Sequence, residues 1–245
     1  MALTTDISRS IRKLTSIVRY QIQSGTIGDT VTTAATARSA TSVSISATTN
    51  FTTGDPAFLI GSGGFELISA IGAPNVVQTI SNQLIHFVHP IGTRFVEAVS
   101  YPLGKIAKGS AKFTGSKPLT EIFTDVDDAA VGFIDGNKSL GMSFGLYEAT
   151  AEALQAAFGD TEDVVGAGTN ASPYQGAVGD PNAVAALPYT AYRATGLLQG
   201  GRVFEVDFLN GRMETSVDSP LDGRDAPPVI GVTVKCAHII WRVKA

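Results

Sequence analysis

The chain has 245 residues, a formal net charge of −4, and charged side chains at only 16% of its positions. This length buries enough surface to fold without metals or disulfides, and the acidic balance argues against a nucleic-acid reader with a basic surface. The low charge content and the 26 glycines are typical of a protein whose surface largely meets other protein.

The first predicted element is an amphipathic helix over residues 5–22. Its apolar residues recur at helical spacing, and the opposite face is basic. The apolar positions are Ile7, Ile11, Leu14 and Val18, and the basic ones are Arg9, Arg12, Lys13 and Arg19. We expect a helix docked on its own fold or on a neighbouring copy, although the β-branched residues near its end also allow a strand to begin there. The small polar residues 24–40 predict a linker or an exposed arm.

Short alternating segments predict a separate all-β module over residues 41–104. The strand candidates are SVSISA (42–47), AFLIG (57–61), FELISAI (65–71), VVQTI (76–80), QLIHFV (83–88) and RFVEAV (94–99). Turns rich in glycine and proline separate them, at a spacing of about ten residues. Such a pattern is typical of a small antiparallel barrel or sandwich.

Residues 105–245 predict a second unit, an antiparallel sheet or barrel with one packed α-helix. Its strand candidates are KIAKGSAKFT, SLGMSFGLYE, YRATGLL, RVFEVDFLN and VIGVTVKCAHIIWRV. The helix spans residues 148–159, with acids in its first turn and Gly159 as its C-cap. Residues 160–189 show no periodicity, and a loop of that length is better placed at an interface. The whole chain is therefore expected to be mainly β.

One strand of the second unit carries acidic residues in alternation with apolar ones. In RVFEVDFLN, Phe204, Val206 and Phe208 share one face, whereas Glu205 and Asp207 share the other. The alternation predicts one dry face and one solvent-facing acidic face.

Motifs that would indicate catalysis, a cofactor or a metal do not emerge. His86 and His89 lie on opposite faces of their predicted strand, so they cannot hold one metal, and all three histidines are interpreted as structural. The acidic cluster at residues 125–128 lacks the later ligands of an EF-hand and is interpreted as a solvated turn. Neither a P-loop nor a nucleophile motif is present, and Cys236, the single cysteine, excludes an intrachain disulfide. The opening residues lack an apolar signal, and no apolar run reaches about 18 residues, so we expect a soluble protein made in a reducing compartment.

The order of segments in the second unit is its most informative feature. It runs from KFTGSKPLTEIFTD through SLGMSFGLYE into EATAEALQAAFG, then through the long loop to RVFEVDFLNGRMETS and PPVIGVTVKCAHI. This order, over a little more than half of the chain, resembles the tail tube proteins of tailed bacteriophages. The module of residues 41–104 resembles a small β unit of phage structural proteins through FTTGDPAFLIG and QTISNQLIHFVHPIGTRFVEAV.

The resemblance implies a virion structural protein, assembled in the host cytoplasm, without cofactor, enzymatic activity or membrane. Copies would form homohexameric rings that stack into a tube, and the lumen would conduct DNA during ejection without binding it specifically. Glu205 and Asp207 would line that lumen and repel the phosphates. The loop residues expected at contacts between subunits or rings are Gly166, Asn170, Tyr174 and Asp180. Further partners would be tape measure and baseplate proteins. Whether a sheath is also a partner is left open by the resemblance.

Two alternatives remain at this stage. The module before the tube-like unit departs from a minimal tube protein, which leaves open a tail-end ring of the same fold, such as a baseplate, tail-tip or terminator component. From a different class, residues 41–104 are compatible with a glycan- or receptor-binding β module.

Overall fold

The computed structural model describes residues 11–22, 27–62, 64–80, 83–116, 119–122, 132–135, 139–147, 189–198, 201–216 and 229–244. These residues form seventeen β-strands and no helix, and every strand pairing is antiparallel. The prediction of a mainly β, antiparallel fold is therefore confirmed. The predicted helix 148–159, the loop up to residue 188 and the acidic turn 125–128 lie outside the described residues.

The strands follow one another along the chain with short connections in the first half. The first nine are β1 (Ile11–Gln21), β2 (Asp29–Val31), β3 (Ser42–Ser44), β4 (Ala57–Gly61), β5 (Gly64–Ile68), β6 (Val77–Thr79), β7 (Arg94–Glu97), β8 (Val99–Pro102) and β9 (Lys112–Ser116). The remaining eight are β10 (Leu119–Ile122), β11 (Gly132–Asp135), β12 (Ser139–Leu146), β13 (Thr190–Leu198), β14 (Val203–Leu209), β15 (Arg212–Ser216), β16 (Ile230–Cys236) and β17 (His238–Lys244).

Three larger sheets organise the molecule. A five-stranded sheet has the order β17-β14-β13-β1-β8, and a four-stranded sheet has the order β15-β16-β12-β9. A second four-stranded sheet, β2-β7-β4-β5, forms the small β unit together with the pair β3-β6, whereas β10 and β11 pair with each other. Over the described residues these sheets are open rather than closed, so they form a layered sandwich and not the alternative, a barrel.

The five-stranded sheet is the central layer, because hydrophobic residues cover both of its faces. On one face, Phe204, Val206 and Phe208 share a core with Phe144 and Val234 of the sheet β15-β16-β12-β9. This burial supplies the main driving force for the sandwich, at about 2–3 kcal/mol for each fully buried phenylalanine.

On the other face, the five-stranded sheet packs against the small β unit. Leu209 and Ile240 share a second core with Phe58, Leu67 and Val96 of that unit. The small β unit therefore packs directly against the five-stranded sheet through a continuous hydrophobic core. Its own interior is a third core, formed mainly between β4, β5, β7 and the β3-β6 pair.

The predicted helix over residues 5–22 is wrong where the structure describes it, because residues 11–21 form strand β1. Between Leu14 and Ser16 the pairing register with β13 shifts, which marks a β-bulge. The extra residue lets Leu14 and Ile17, three positions apart, contact the same core. The bulge therefore gives strand β1 an apolar spacing of three residues, and this spacing is what led to the prediction of a helix.

The prediction of a linker or exposed arm over residues 24–40 is also wrong for its described part, residues 27–40. This segment contains β2, and it donates backbone hydrogen bonds from Thr32 to the carbonyl of Thr93 (2.8 Å) and from Thr36 to the carbonyl of His89 (2.8 Å). Thr30, Thr32 and Thr36 are buried. The small polar side chains fit into the β unit instead of marking an exposed arm.

Two strand predictions differ from the structure in instructive ways. QLIHFV (83–88) contains no strand, because the N–H groups of His86 and Phe87 donate to the carboxylate of Glu66 instead of to a neighbouring strand. VIGVTVKCAHIIWRV is not one strand but two, β16 and β17, which belong to different sheets and meet at Ala237. A run of β-branched residues cannot reveal such a corner, since both halves have the same composition.

The thiol of Cys236 is half-buried at the end of β16 and donates to the carbonyl of Leu140 (3.5 Å). Burial raises the pKa of this thiol from an ordinary value of 9.0 to about 11. We therefore expect iodoacetamide to alkylate folded protein at pH 8 about 100-fold more slowly than urea-unfolded protein.

The sign of the pH effect follows from the raised pKa of Cys236. Folding favours the protonated thiol, so its contribution to stability is present below pH 9.0 and is lost as the pH rises towards about 11. The alkylation rate of the folded protein should rise through the same range. An alkylation midpoint at or below pH 9 in folded protein would contradict the burial argument.

Candidate functional site

The acidic residues predicted on β14 are not solvent-facing. Asp207 is 0% exposed and Glu205 is 8% exposed, so the predicted wet acidic face is wrong in the folded chain. The alternation itself is present, because Phe204, Val206 and Phe208 do occupy the opposite face. The difference arises because the small β unit and neighbouring basic side chains cover the acidic face.

Asp207 is held between two arginines from the adjacent strands. Arg193 on β13 donates from Nε to Oδ1 (2.6 Å) and from Nη2 to Oδ2 (2.8 Å), and Arg242 on β17 donates from Nη1 to Oδ2. The side chains of Arg193 and Arg242 are 6% and 12% exposed. A two-pronged arginine–carboxylate pair of this kind is strong and geometrically specific.

Arg193 also connects the central sheet to the small β unit. Its Nη1 donates to Oγ of Ser69 (2.6 Å), just after β5, and its guanidinium lies 5.6 Å from the ring centre of Tyr20. Burial by itself lowers the pKa of Arg193, but the hydrogen bonds and charge of Asp207 outweigh it and raise the pKa above its ordinary value. The guanidinium therefore stays charged at every pH at which the protein is folded.

Glu205 forms the second ion pair of this face, which is partly buried. Its Oε1 accepts from Nζ of Lys244 on β17 (2.7 Å). The three cations Arg193, Arg242 and Lys244 face only two anions, Asp207 and Glu205, so this cluster carries one excess positive charge. The face that was expected to be acidic is therefore slightly basic.

Beside this cluster lies a groove of about 680 Å³, between β17 and the small β unit. One wall is formed by Arg202 and residues 240–244. The other is formed by Arg38, Ser39, Thr41 and residues 80 and 83–86. No aspartate or glutamate lines it, whereas four residues with permanent positive charge do: Arg38, Arg202, Arg242 and Lys244. An electrostatically one-signed cleft of this kind attracts negatively charged groups.

Apolar side chains are also exposed at the groove. Trp241 is 49% exposed and Leu84 is 54% exposed, on opposite walls. The combination of cations and exposed apolar surface suits the binding of an anionic ligand that also has apolar groups.

Sequence reasoning missed this groove. The signal in the sequence was a pattern of opposite charges, because Arg242 and Lys244 alternate with apolar residues along β17 as Glu205 and Asp207 do along β14. These four side chains form the ion pairs Asp207–Arg242 and Glu205–Lys244. That pairing depends on the register between β14 and β17, which the alternation within each strand leaves open.

The histidines predicted to be structural include one that is fully buried. His89 places Nε2 3.3 Å from Oε2 of Glu66, and both side chains are 0% exposed. The carboxylate of Glu66 also accepts from the backbone N–H of His86 (2.8 Å) and of Phe87 (3.2 Å). Gln83 supports the same segment by donating to the carbonyl of Leu67 (2.7 Å). These bonds explain why residues 83–88 hold a fixed course without forming a strand.

The other predicted site residues, Gly166, Asn170, Tyr174 and Asp180, lie outside the described residues. Within the described ranges, no three His, Cys, Asp or Glu side chains gather as a metal site, and no helix could cross a membrane.

Comparison with known proteins adds no assignment. No protein-family model matches the chain, and no curated protein matches it in sequence. The interpretation of the groove and of the sheet edges therefore depends on their own geometry.

Proposed function

We propose that this chain is a self-assembling virion structural protein, a phage tail tube subunit that forms stacked hexameric rings whose lumen conducts DNA during ejection. The observation that supports this proposal best is the open sheet β15-β16-β12-β9. Its edge strands β9 and β15 each have one partner among the described strands, so each has a row of backbone groups that no described strand pairs and to which a neighbouring copy could add a strand.

The faces of the sheets favour β15-β16-β12-β9 as the layer that joins neighbours. The five-stranded sheet is covered on both faces, whereas among the described residues this sheet shares a hydrophobic core cluster on one face only. Every residue of β9 is exposed, including Phe113, whose ring stacks on Phe208 with centres 5.8 Å apart. A neighbouring strand beside β9 would cover this ring.

Because Glu205 and Asp207 are buried, they do not support a lumen that repels DNA. We place the lumen instead at the outer face of the sheet β15-β16-β12-β9. Ser143 and Thr233 pair across β12 and β16 on that face, and Lys112 and Lys235 share it. Small polar groups contact DNA without reading its sequence, and the lysines make transit sensitive to salt.

The direct test is negative-stain electron microscopy of the purified full chain, with light scattering on the same sample across a concentration series. We expect hollow tubes or six-fold rings. Discrete rings that never stack would instead favour a tail-end ring protein, and a monomer at every concentration would contradict self-assembly.

A pair of proline variants on β9 tests which edge joins the copies. In an antiparallel edge strand, adjacent residues direct their N–H groups to opposite sides, so of Thr114→Pro and Gly115→Pro one removes a bond to β12 and the other removes an outward donor. We expect the variant that keeps the wild-type melting temperature to lose assembly. If that variant still assembles like the wild type, β9 is not the joining edge.

A further inference from the structure

We propose that the groove between β17 and the small β unit binds an acidic, extended segment of another protein, which adds a strand to the edge of β17 that no described strand pairs. The inference goes beyond the proposed self-assembly and does not depend on it, because it uses a different sheet.

The charges of the groove select the chemistry of the partner. Arg242 and Lys244 are partly neutralised by Asp207 and Glu205, but Arg38 and Arg202 are exposed, and their side chains have no hydrogen bond or ion pair with the described residues. Guanidinium groups bind carboxylates with two parallel hydrogen bonds, so glutamate or aspartate side chains are their natural complement.

The backbone of β17 selects the conformation of the partner. In the described part of the sheet, β17 is an outermost strand and pairs with β14 alone. Five consecutive residues, 240–244, line the groove, which means that the strand presents its edge as well as its two faces. An edge strand in a groove accepts an extended peptide through main-chain hydrogen bonds.

The exposed apolar residues fit the same ligand. Side chains of an added strand point alternately to its two sides, so every second residue would meet one wall of the groove. Trp241 and Leu84 stand on opposite walls and offer contacts to apolar residues between the acidic ones.

The partner is another protein rather than a second copy, because each described edge strand of this chain carries at most one acidic residue, whereas the groove offers two exposed arginines. These acidic residues are Asp29 of β2, Glu66 of β5, Glu121 of β10, Asp135 of β11 and Glu214 of β15; of them, Asp29 is paired with Arg94, and Glu66 is buried. A nucleic acid fits less well, since its backbone offers only acceptors to the alternating donors and acceptors of an edge strand.

The test measures binding of two fluorescein-labelled ten-residue peptides to the full chain by fluorescence anisotropy. One alternates glutamate with valine, and the other has glutamine in place of glutamate. We expect the glutamate peptide to bind and the glutamine peptide to bind about tenfold more weakly or not at all. Because Trp241 is the only tryptophan, a blue shift of its emission reports burial in the groove.

Charge variants and their controls test the location. The double variant Arg38→Gln/Arg202→Gln should weaken binding about tenfold, since it removes two exposed cations. The matched double variant Lys13→Gln/Lys108→Gln removes two exposed cations that do not line the groove, and it should bind as the wild type does.

N-methylated peptides test the added strand. Methylating alternate amides blocks the donors on one edge of an extended peptide. We compare a peptide methylated at its odd-numbered residues with one methylated at its even-numbered residues, and only the peptide whose blocked edge faces β17 should lose binding. The proposal is overturned if both behave alike, if glutamate and glutamine peptides bind equally, or if a thymine oligonucleotide binds more tightly than the glutamate peptide.

Discussion

Replacing Asp207 with asparagine is expected to lower the free energy of unfolding by about 3–5 kcal/mol. The carboxylate is 0% exposed and is the shared counter-charge of Arg193 and Arg242. Asparagine has almost the same shape but no charge, so the variant leaves two largely buried guanidinium groups without compensation. Urea denaturation followed by circular dichroism measures the loss.

An exposed ion pair provides the matched control for Asp207. Asp29 accepts from Arg94 at 2.6 Å, but both side chains are about two-fifths exposed. Asp29→Asn should therefore cost less than about 1 kcal/mol. A second variant, Asp207→Leu with Arg193→Met and Arg242→Met, should recover much of the lost stability because it removes all three charges of this group together and leaves none of them unpaired. Equal losses for Asp207→Asn and Asp29→Asn would refute the role of the buried cluster.

The second large effect is expected at Glu66. Changing it to alanine should cost about 3–5 kcal/mol, because two backbone N–H groups and His89 lose a buried acceptor and a cavity remains. The loss should be local as well as global. Hydrogen exchange at the amides of His86 and Phe87, which donate to this carboxylate, should accelerate more than exchange in β14.

Asp55→Asn is the control for Glu66, since Asp55 is an exposed acidic residue of the same unit. It should change the free energy of unfolding by less than about 0.5 kcal/mol. If Glu66→Ala leaves exchange at His86 and Phe87 unchanged, the carboxylate does not hold this segment in place.

Local sequence patterns predicted the positions of several strands. AFLIG and RVFEVDFLN have strong β propensity and clear ends, and they became β4 and β14. The same reasoning failed at β1, where a bulge changes the phase between Leu14 and Ile17, and at Ala237, where one apolar run serves two sheets. Both features are set by tertiary pairing and leave no mark on composition.

The candidate site was less predictable than the fold. Alternation correctly separated Asp207 from its apolar neighbours, but the partner Arg242 is 35 residues away and is brought close only by strand pairing. The groove has the same origin, because its two walls come from the small β unit and from β17. Sequence patterns describe one element at a time, whereas a site between elements depends on how they dock.

The chain passes between the two layers of the sandwich at two adjacent points. β14 leads into β15 through Asn210, and β16 leads into β17 through Ala237, whose N–H donates to the carbonyl of Leu209 (3.1 Å). The two layers are thus joined along one side by two adjacent covalent links. Both links join the β14–β17 ladder at the same end, because Leu209 and His238 form its last pair. A force that draws the two links apart would therefore open this seven-residue ladder one pair at a time from that end, instead of loading all of its pairs at once.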